Sequence, residues 1–166
     1  MQPLRIDEIL QTLKGALDAF AQGLGAGAQV SIARDPFNVF ELLNAGTQNY
    51  VLVLNWAGDE QINDIPIIPL LRHNLEIVFG YNLGLTARPD LALIKPIGNR
   101  PSLYQALDDI RALLLSVQFG TNQTGMYLEY KGTEPVVTPD GIPLAAYRLA
   151  FGLRAIPAQA KIPIVI

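Results

Sequence analysis

Apolar residues recur at helical spacing in two segments of the chain. Residues 5–22 form one apolar stripe, which predicts an amphipathic helix that the following glycines end. A second stripe starts at Leu103, behind Ser102 and Gln105, which fit the capping box of a helix start. We expect this second helix to end near Phe119-Gly120. The stripe positions are Ile6, Ile9, Leu10, Leu13, Leu17, Phe20 and Leu24 in the first helix, and Leu103, Leu107, Ile110, Leu114 and Val117 in the second.

Strand patterns occupy much of the remaining chain. Residues 49–56, 72–82 and 147–154 are rich in β-branched and aromatic side chains or alternate between apolar and polar positions. Residues 29–33 alternate weakly, and residues 126–131 alternate as a further strand. Residues 37–43 fit either a short strand or a helical turn. We therefore predict an α+β fold in a single domain (1–166), with a mostly antiparallel sheet and two main helices packed on one of its faces.

Residues 83–100 lack a regular pattern and contain two prolines and two glycines. We therefore interpret them as a long excursion loop or an extended hairpin arm. A loop of this length in a compact domain is usually functional or mobile. The charged residues Arg88, Asp90, Lys95 and Arg100 are expected to be exposed in either form.

The composition indicates a chain short of polar surface. Charged residues make up 16% of its 166 residues and hydrophobic residues 50%, with 14 glycines besides; an average soluble domain has about 25% charged residues. We expect some apolar surface to be buried against other subunits, although a monomer with a generous core is the simpler alternative.

Several classes of protein are disfavoured. No run of about 18 apolar residues is free of charge, proline and glycine, so we expect no membrane span. The net charge is −3 and no cluster of basic residues is present, which disfavours direct nucleic-acid binding. The chain has no cysteine and begins without a secretory pattern, so a cytosolic location is the default.

Candidate chemistry is sparse. His73, the only histidine, shares a strand face with Leu71 and Leu75, so we expect a buried core residue and not an acid–base catalyst. Zinc would lack its nitrogen and sulfur ligands. Asp59, Glu60 and Asp64 could hold a hard cation at a turn, but a solvated loop is the favoured interpretation. We predict no catalytic residue, no cofactor and no metal.

The C-terminal residues Ile162 to Ile166 are almost all β-branched. Exposing each such side chain would forgo about 1.5–3 kcal/mol of burial energy. They either pack on their own domain or extend the sheet of a neighbouring subunit. The interface candidates come from the 83–100 loop and from this C-terminal segment. They are Arg88, Lys95 and Arg100 in the loop, and Ile162, Ile164 and Ile166 at the C-terminus.

The order of these elements resembles tail-terminator and minor tail proteins of tailed bacteriophages, and most closely the phage Mu-like minor tail group. Two short phrases carry the resemblance, one in the second helix and one in the last strand. They are Leu103-Tyr104 with Asp108-Asp109, and Tyr147, Leu149 and Phe151. The glycine that usually precedes the Leu-Tyr phrase is replaced here by Pro101-Ser102.

The resemblance implies a non-enzymatic virion protein without catalytic, cofactor or metal residues. It would form a ring, typically a homo-hexamer, at the head-proximal end of the tail, end polymerisation of the tail tube and join the tail to the head connector. Its partners would be itself, the tail tube protein, the head–tail connector protein and, in contractile tails, the sheath protein. It would be located in the virion tail after assembly in the host cytoplasm. The alternatives are a head–tail connector or baseplate protein, or a small-ligand binding module.

Overall fold

The computed structural model describes residues 3–24, 28–45, 49–63, 70–85, 88–98, 100–119, 126–138 and 144–157. Within these ranges the chain forms four α-helices, one 3₁₀ turn and eight strands. The elements are β1 (Pro3–Leu4), α1 (Ile6–Gly23), β2 (Ala28–Ile32), α2 (Pro36–Ala45), β3 (Tyr50–Gln61), β4 (Leu71–Asn82), a 3₁₀ turn (Leu83–Leu85), α3 (Pro89–Ala92), α4 (Leu103–Ser116), β5 (Gln118–Phe119), β6 (Met126–Tyr127), β7 (Glu129–Val136) and β8 (Leu144–Pro157).

Three long antiparallel strands, β3, β4 and β8, form the centre of the main sheet. At one edge β2 pairs with β3 in parallel. On the far side of β8, β7 pairs antiparallel along its middle, and β1 pairs in parallel with its last two residues. The predicted α+β fold with a mostly antiparallel sheet is confirmed; β5 and β6 form a separate small pair.

The main core lies between one face of the sheet and helices α1 and α4. Alternate residues of the central strands point into it, as the period of two in β4 and β8 predicts. The two main helices therefore pack on the same face, as expected. The fully buried residues here include Ile9, Leu13, Leu17, Tyr50, Leu52, Leu54, Ile77, Phe79, Tyr81, Leu103, Ile110, Leu114, Leu149 and Leu153.

A smaller core lies on the opposite face, beneath α2. The segment that fitted either a strand or a helical turn is a ten-residue helix. Its Val39 and Leu43 pack on Val51, Val53 and Val78 of the central strands. Helices thus lie on both faces of the sheet.

The predicted start of α4 is confirmed, whereas its predicted end is wrong. Ser102 has an extended backbone, and its Oγ accepts a hydrogen bond from the N–H of Gln105 at 3.2 Å. The helix ends at Ser116, whose hydroxyl donates to the carbonyl of Leu113 at 2.6 Å and so competes with the helical hydrogen bonds. Val117 is extended and leads directly into β5.

Gly80 of β4 packs directly against side chains of the smaller core. A Cβ built at Gly80 would lie 3.1 Å from Cδ2 of Leu43 and 3.2 Å from both Cδ atoms of Leu144. We expect Gly80→Ala to lower the free energy of unfolding in urea by about 1–3 kcal/mol, because the added methyl overpacks this core. Gly15→Ala is the matched control. It lies inside α1 with open space around it and should raise stability by about 0.5–1 kcal/mol. Equal stability of Gly80→Ala and the wild type would mean that α2 packs loosely.

Candidate interaction surfaces

The segment between β4 and α4 is anchored to the domain. It contains the 3₁₀ turn and the short helix α3, so the extended hairpin arm is wrong for its described residues. Ala92 is fully buried in the main core. The carbonyl of Leu93 accepts a hydrogen bond from the N–H of Tyr104 at 3.2 Å, and Ile97 and Arg100 exchange backbone hydrogen bonds of 2.9 and 3.0 Å. These contacts hold the segment against α4 and the core.

Arg100 is half-buried, so the expectation that it is exposed is wrong. Its Nη2 donates to the carbonyls of Asn49, at 3.2 Å, and Asn82, at 2.9 Å, where β3 begins and β4 ends. Its guanidinium carbon lies 4.0 Å from the ring centroid of Tyr81 and 5.1 Å from that of Tyr50. The two carbonyls and the two rings replace much of the water that an exposed arginine would keep. Arg100 therefore ties the loop to the sheet.

The two tyrosines beneath Arg100 are buried and neutral. Their rings meet edge to face at 5.2 Å. Burial, together with the neighbouring Tyr81, raises the pKa of Tyr50 to about 12, and burial raises the pKa of Tyr81 as well. The neutral hydroxyl of Tyr50 donates to the carbonyl of Pro101 at 3.1 Å. The tyrosines thus support Arg100 and the start of α4.

Replacing Arg100 should destabilise the domain. We expect Arg100→Ala to lower the free energy of unfolding in urea by about 2–4 kcal/mol, since charged hydrogen bonds and a stacked cation are both lost. The stability of Arg100→Lys should lie between those of Arg100→Ala and the wild type, because an ammonium keeps the charge but loses the planar stack. Lys95→Ala, on the exposed part of the same loop, is the control and should stay within about 0.5 kcal/mol of wild type. If Arg100→Ala were as stable as the wild type, the contacts of Arg100 with the sheet would not stabilise the domain.

The exposed part of the loop combines apolar and cationic side chains. Ile94 is 62% exposed and Ile97 is 39% exposed. Lys95 between them is exposed, and no carboxylate among the described residues pairs with it. Gly98, with a φ of 61°, supplies the left-handed turn that follows. We call Ile94, Lys95 and Ile97 the loop tip.

Arg88 is also exposed, as expected, and lies at the start of α3. Its Nε lies 3.6 Å from a carboxylate oxygen of Asp90. The hydrogen bond from Arg88 lowers the pKa of Asp90. Ile162, Ile164 and Ile166 lie outside the described residues, and their role at an interface stays a prediction.

At the other end of β3 and β4, a β-bulge places Asp59 against His73. The ladder shifts between Trp56 and Asp59, and Gly58 in the bulge has a φ of 94°. His73 is only 3% exposed, which confirms the expected core histidine, and neither of its ring nitrogens has a hydrogen bond to a described residue. Its Nδ1 lies 3.8 Å from Oδ2 of Asp59. Burial lowers the pKa of His73, and the Asp59 charge offsets this only in part.

The bulge leaves one carboxylate and one indole partly open to solvent. The Asp59 side chain is 37% exposed, and the only ionisable side chain with which it forms a close charge contact in the described part of the chain is the neutral His73. Trp56, one of the few large apolar residues of the sheet that reach the surface, is also 37% exposed. In the ladder both residues alternate onto the face that carries the main core. We call Trp56 and Asp59 the bulge surface.

The stability of the domain should fall in mild acid because of His73. The lowered pKa means that the unfolded chain binds a proton more readily, so the His73 contribution is full above about pH 6.5 and is lost as the pH falls towards the folded pKa. The slope can reach about 1.4 kcal/mol per pH unit. Urea unfolding between pH 7.5 and about pH 5 should show a flatter dependence for His73→Leu. Asp59→Asn, which removes the offsetting charge, should keep the wild-type pH dependence of stability or make it steeper. Parallel curves for His73→Leu and wild type would contradict this assignment.

No group of three or more His, Cys, Asp or Glu residues within the described ranges could hold a metal ion. Of the acidic turn, Glu60 is paired with Arg72 at 3.0 Å. Asp59 faces His73, and Asp64 lies outside the described residues. The sequence alone could not show that Asp59 and Glu60 have different partners, because the bulge that turns them to different neighbours is not visible in the alternation.

The part of the sheet that α2 leaves uncovered carries its own neutralising charges. Lys131 donates to Asn74 at 2.8 Å, and Arg148 pairs with Glu134 at 2.9 Å. The stems of Lys131 and Arg72 lie flat on the sheet, because Gly152 beneath them has no side chain. The arginines and carboxylates described on this face therefore form their ion pairs within the subunit.

The fold is similar to that of a chain in the solved "Virion of native gene transfer agent (GTA) particle". The two share 11% sequence identity with a TM-score of 0.51, and the match covers 87% of this chain and 91% of the other. No protein-family model matches the sequence, and no curated protein matches it. None of the described helices is both long and apolar enough to span a membrane.

Proposed function

We propose that the protein is a structural component of a phage-like virion, and more specifically a tail terminator. It would form a ring at the head-proximal end of the tail, stop polymerisation of the tail tube and join the tail to the head connector. The observation that carries the proposal is the fold similarity to a virion chain, because it extends over almost the full length of both chains.

Two features of this chain support an assembly role. Its charged fraction is 16%, and most charges of the described residues already pair within the subunit. Exposed apolar side chains remain at separate places, among them Ile94 on the loop and Phe37 on α2, which is 83% exposed. A subunit in a closed ring needs two different contact patches, because its contacts are head to tail.

The proposed partners follow from the same role. They are other copies of the chain, in a hexamer, the tail tube protein, the head–tail connector protein and, in a contractile tail, the sheath protein. We propose Arg88, Lys95, Ile162, Ile164 and Ile166 as contact residues. Arg100 would act indirectly in such contacts, because its guanidinium is engaged with the sheet.

Sedimentation velocity and electron microscopy of the purified chain test the ring. We expect closed rings of uniform size, in equilibrium with monomers as the concentration falls. Addition of the rings to growing tail tubes should cap them, so the tubes should become shorter and more uniform than tubes grown without the protein. A chain that stays monomeric at high concentration and leaves tube length unchanged would refute the proposal. Labelled protein found at the baseplate end would favour the baseplate alternative.

A further inference from the structure

The loop tip and the bulge surface lie at opposite ends of the same pair of strands. Arg100 anchors the loop to the carbonyls of Asn49 and Asn82, where β3 begins and β4 ends. Asp59 lies opposite His73 in the strand register, near the other end of the β3–β4 ladder. The nine residue-to-residue steps from Tyr50 to Asp59 span about 30 Å of strand. One copy therefore cannot bring its own tip and bulge surface together.

The two surfaces have complementary chemistry. Among the residues that the structure describes, Lys95 is the exposed cation for which no ion pair forms, and it stands between two exposed isoleucines. Within the described ranges, Asp59 has no lysine or arginine partner, and it stands near the exposed indole of Trp56. An unpaired cation with aliphatic neighbours thus matches an unpaired anion with an aromatic neighbour.

We propose that the loop tip of one copy binds the bulge surface of the next copy. Lys95 would pair with Asp59 across the contact, and Ile94 and Ile97 would cover Trp56. The contact is head to tail, so each copy uses both surfaces and the series can close into a ring. This inference rests on the proposed function, and it adds which residues meet.

The anchoring of both surfaces favours such a contact. The tip is fixed through buried Ala92 and through the tie of Arg100 to the sheet. The bulge surface is built on a ladder whose residues pair on both sides of the bulge. Preorganised surfaces lose little conformational entropy when they associate. A tryptophan at the centre of a contact is also a common source of binding energy.

A charge-swap cycle tests the pairing in the full chain. Lys95→Glu and Asp59→Lys should each weaken self-association by about tenfold or more in sedimentation, because each places like charges together. The double variant restores opposite charges and should return to within about threefold of wild type. Asp109→Lys on α4 is the matched control for Asp59→Lys, since it makes the same change in net charge at an exposed site. Circular dichroism of each variant checks the fold.

Cysteine cross-linking gives a second readout, because the natural chain has no cysteine. A variant with both Asp59→Cys and Lys95→Cys should form a ladder of disulfide-linked oligomers on oxidation, up to the closed ring. Either single substitution should give no ladder beyond a dimer. The ladder does not depend on the charges, so it stays informative if Asp59→Lys fails to fold.

The outcomes separate the two proposals. Rings that form equally well with each swap, or a double variant no better than the singles and no cysteine ladder, would overturn this contact and leave the ring intact. A wild-type chain that is monomeric at millimolar concentration, together with no ladder from the double cysteine variant, would overturn the ring and this contact together.

Discussion

The register between β3 and β4 is the constraint on which both ends of the molecule depend. Tyr50 lies opposite Tyr81, so the carbonyls of the flanking Asn49 and Asn82 come within reach of one guanidinium. A shift of one residue would turn every side chain of β4 to the other face. The aromatic rings would then leave the core, and Arg100 would lose both its carbonyls and its stack. The same register sets where the ladder must bulge, and so fixes the position of Asp59 at the far end.

The alternation along β4 and β8 made much of this fold predictable. It assigns His73, Tyr147 and Leu149 to the core face because the period of two leaves no other choice once one face is buried. The start of α4 was predictable for a similarly local reason, since Ser102 caps it through a residue three positions away. In contrast, seven residues around Val39 fit a strand and a helix equally well. The neighbouring sheet face, which the sequence pattern does not show, decides between them.

The features of the candidate surfaces that sequence patterns missed all depend on distant residues. Arg100 looked exposed because it lies in a loop with proline and glycine, but its partner Asn49 is 51 positions away. The bulge that exposes Trp56 and Asp59 is a shift between two strands, and neither strand alone records it. Burial of a charge in a loop can be predicted only when the carbonyls and rings that replace water are known.

Scarcity of charge makes the unpaired residues informative. An isolated ion pair on a surface contributes little to stability, about 0–1 kcal/mol, but a self-neutralised sheet face offers little to a charged partner. Lys95 and Asp59 do not take part in the ion pairs of that sheet face, and each lies near exposed apolar side chains. Arg100 connects this surface chemistry to the core. By holding the loop against the sheet, it keeps Lys95 and its isoleucines in one arrangement, although it does not touch the partner in the proposed contact. Loosening Arg100 should therefore weaken association through the entropy of the loop, in addition to its effect on folding.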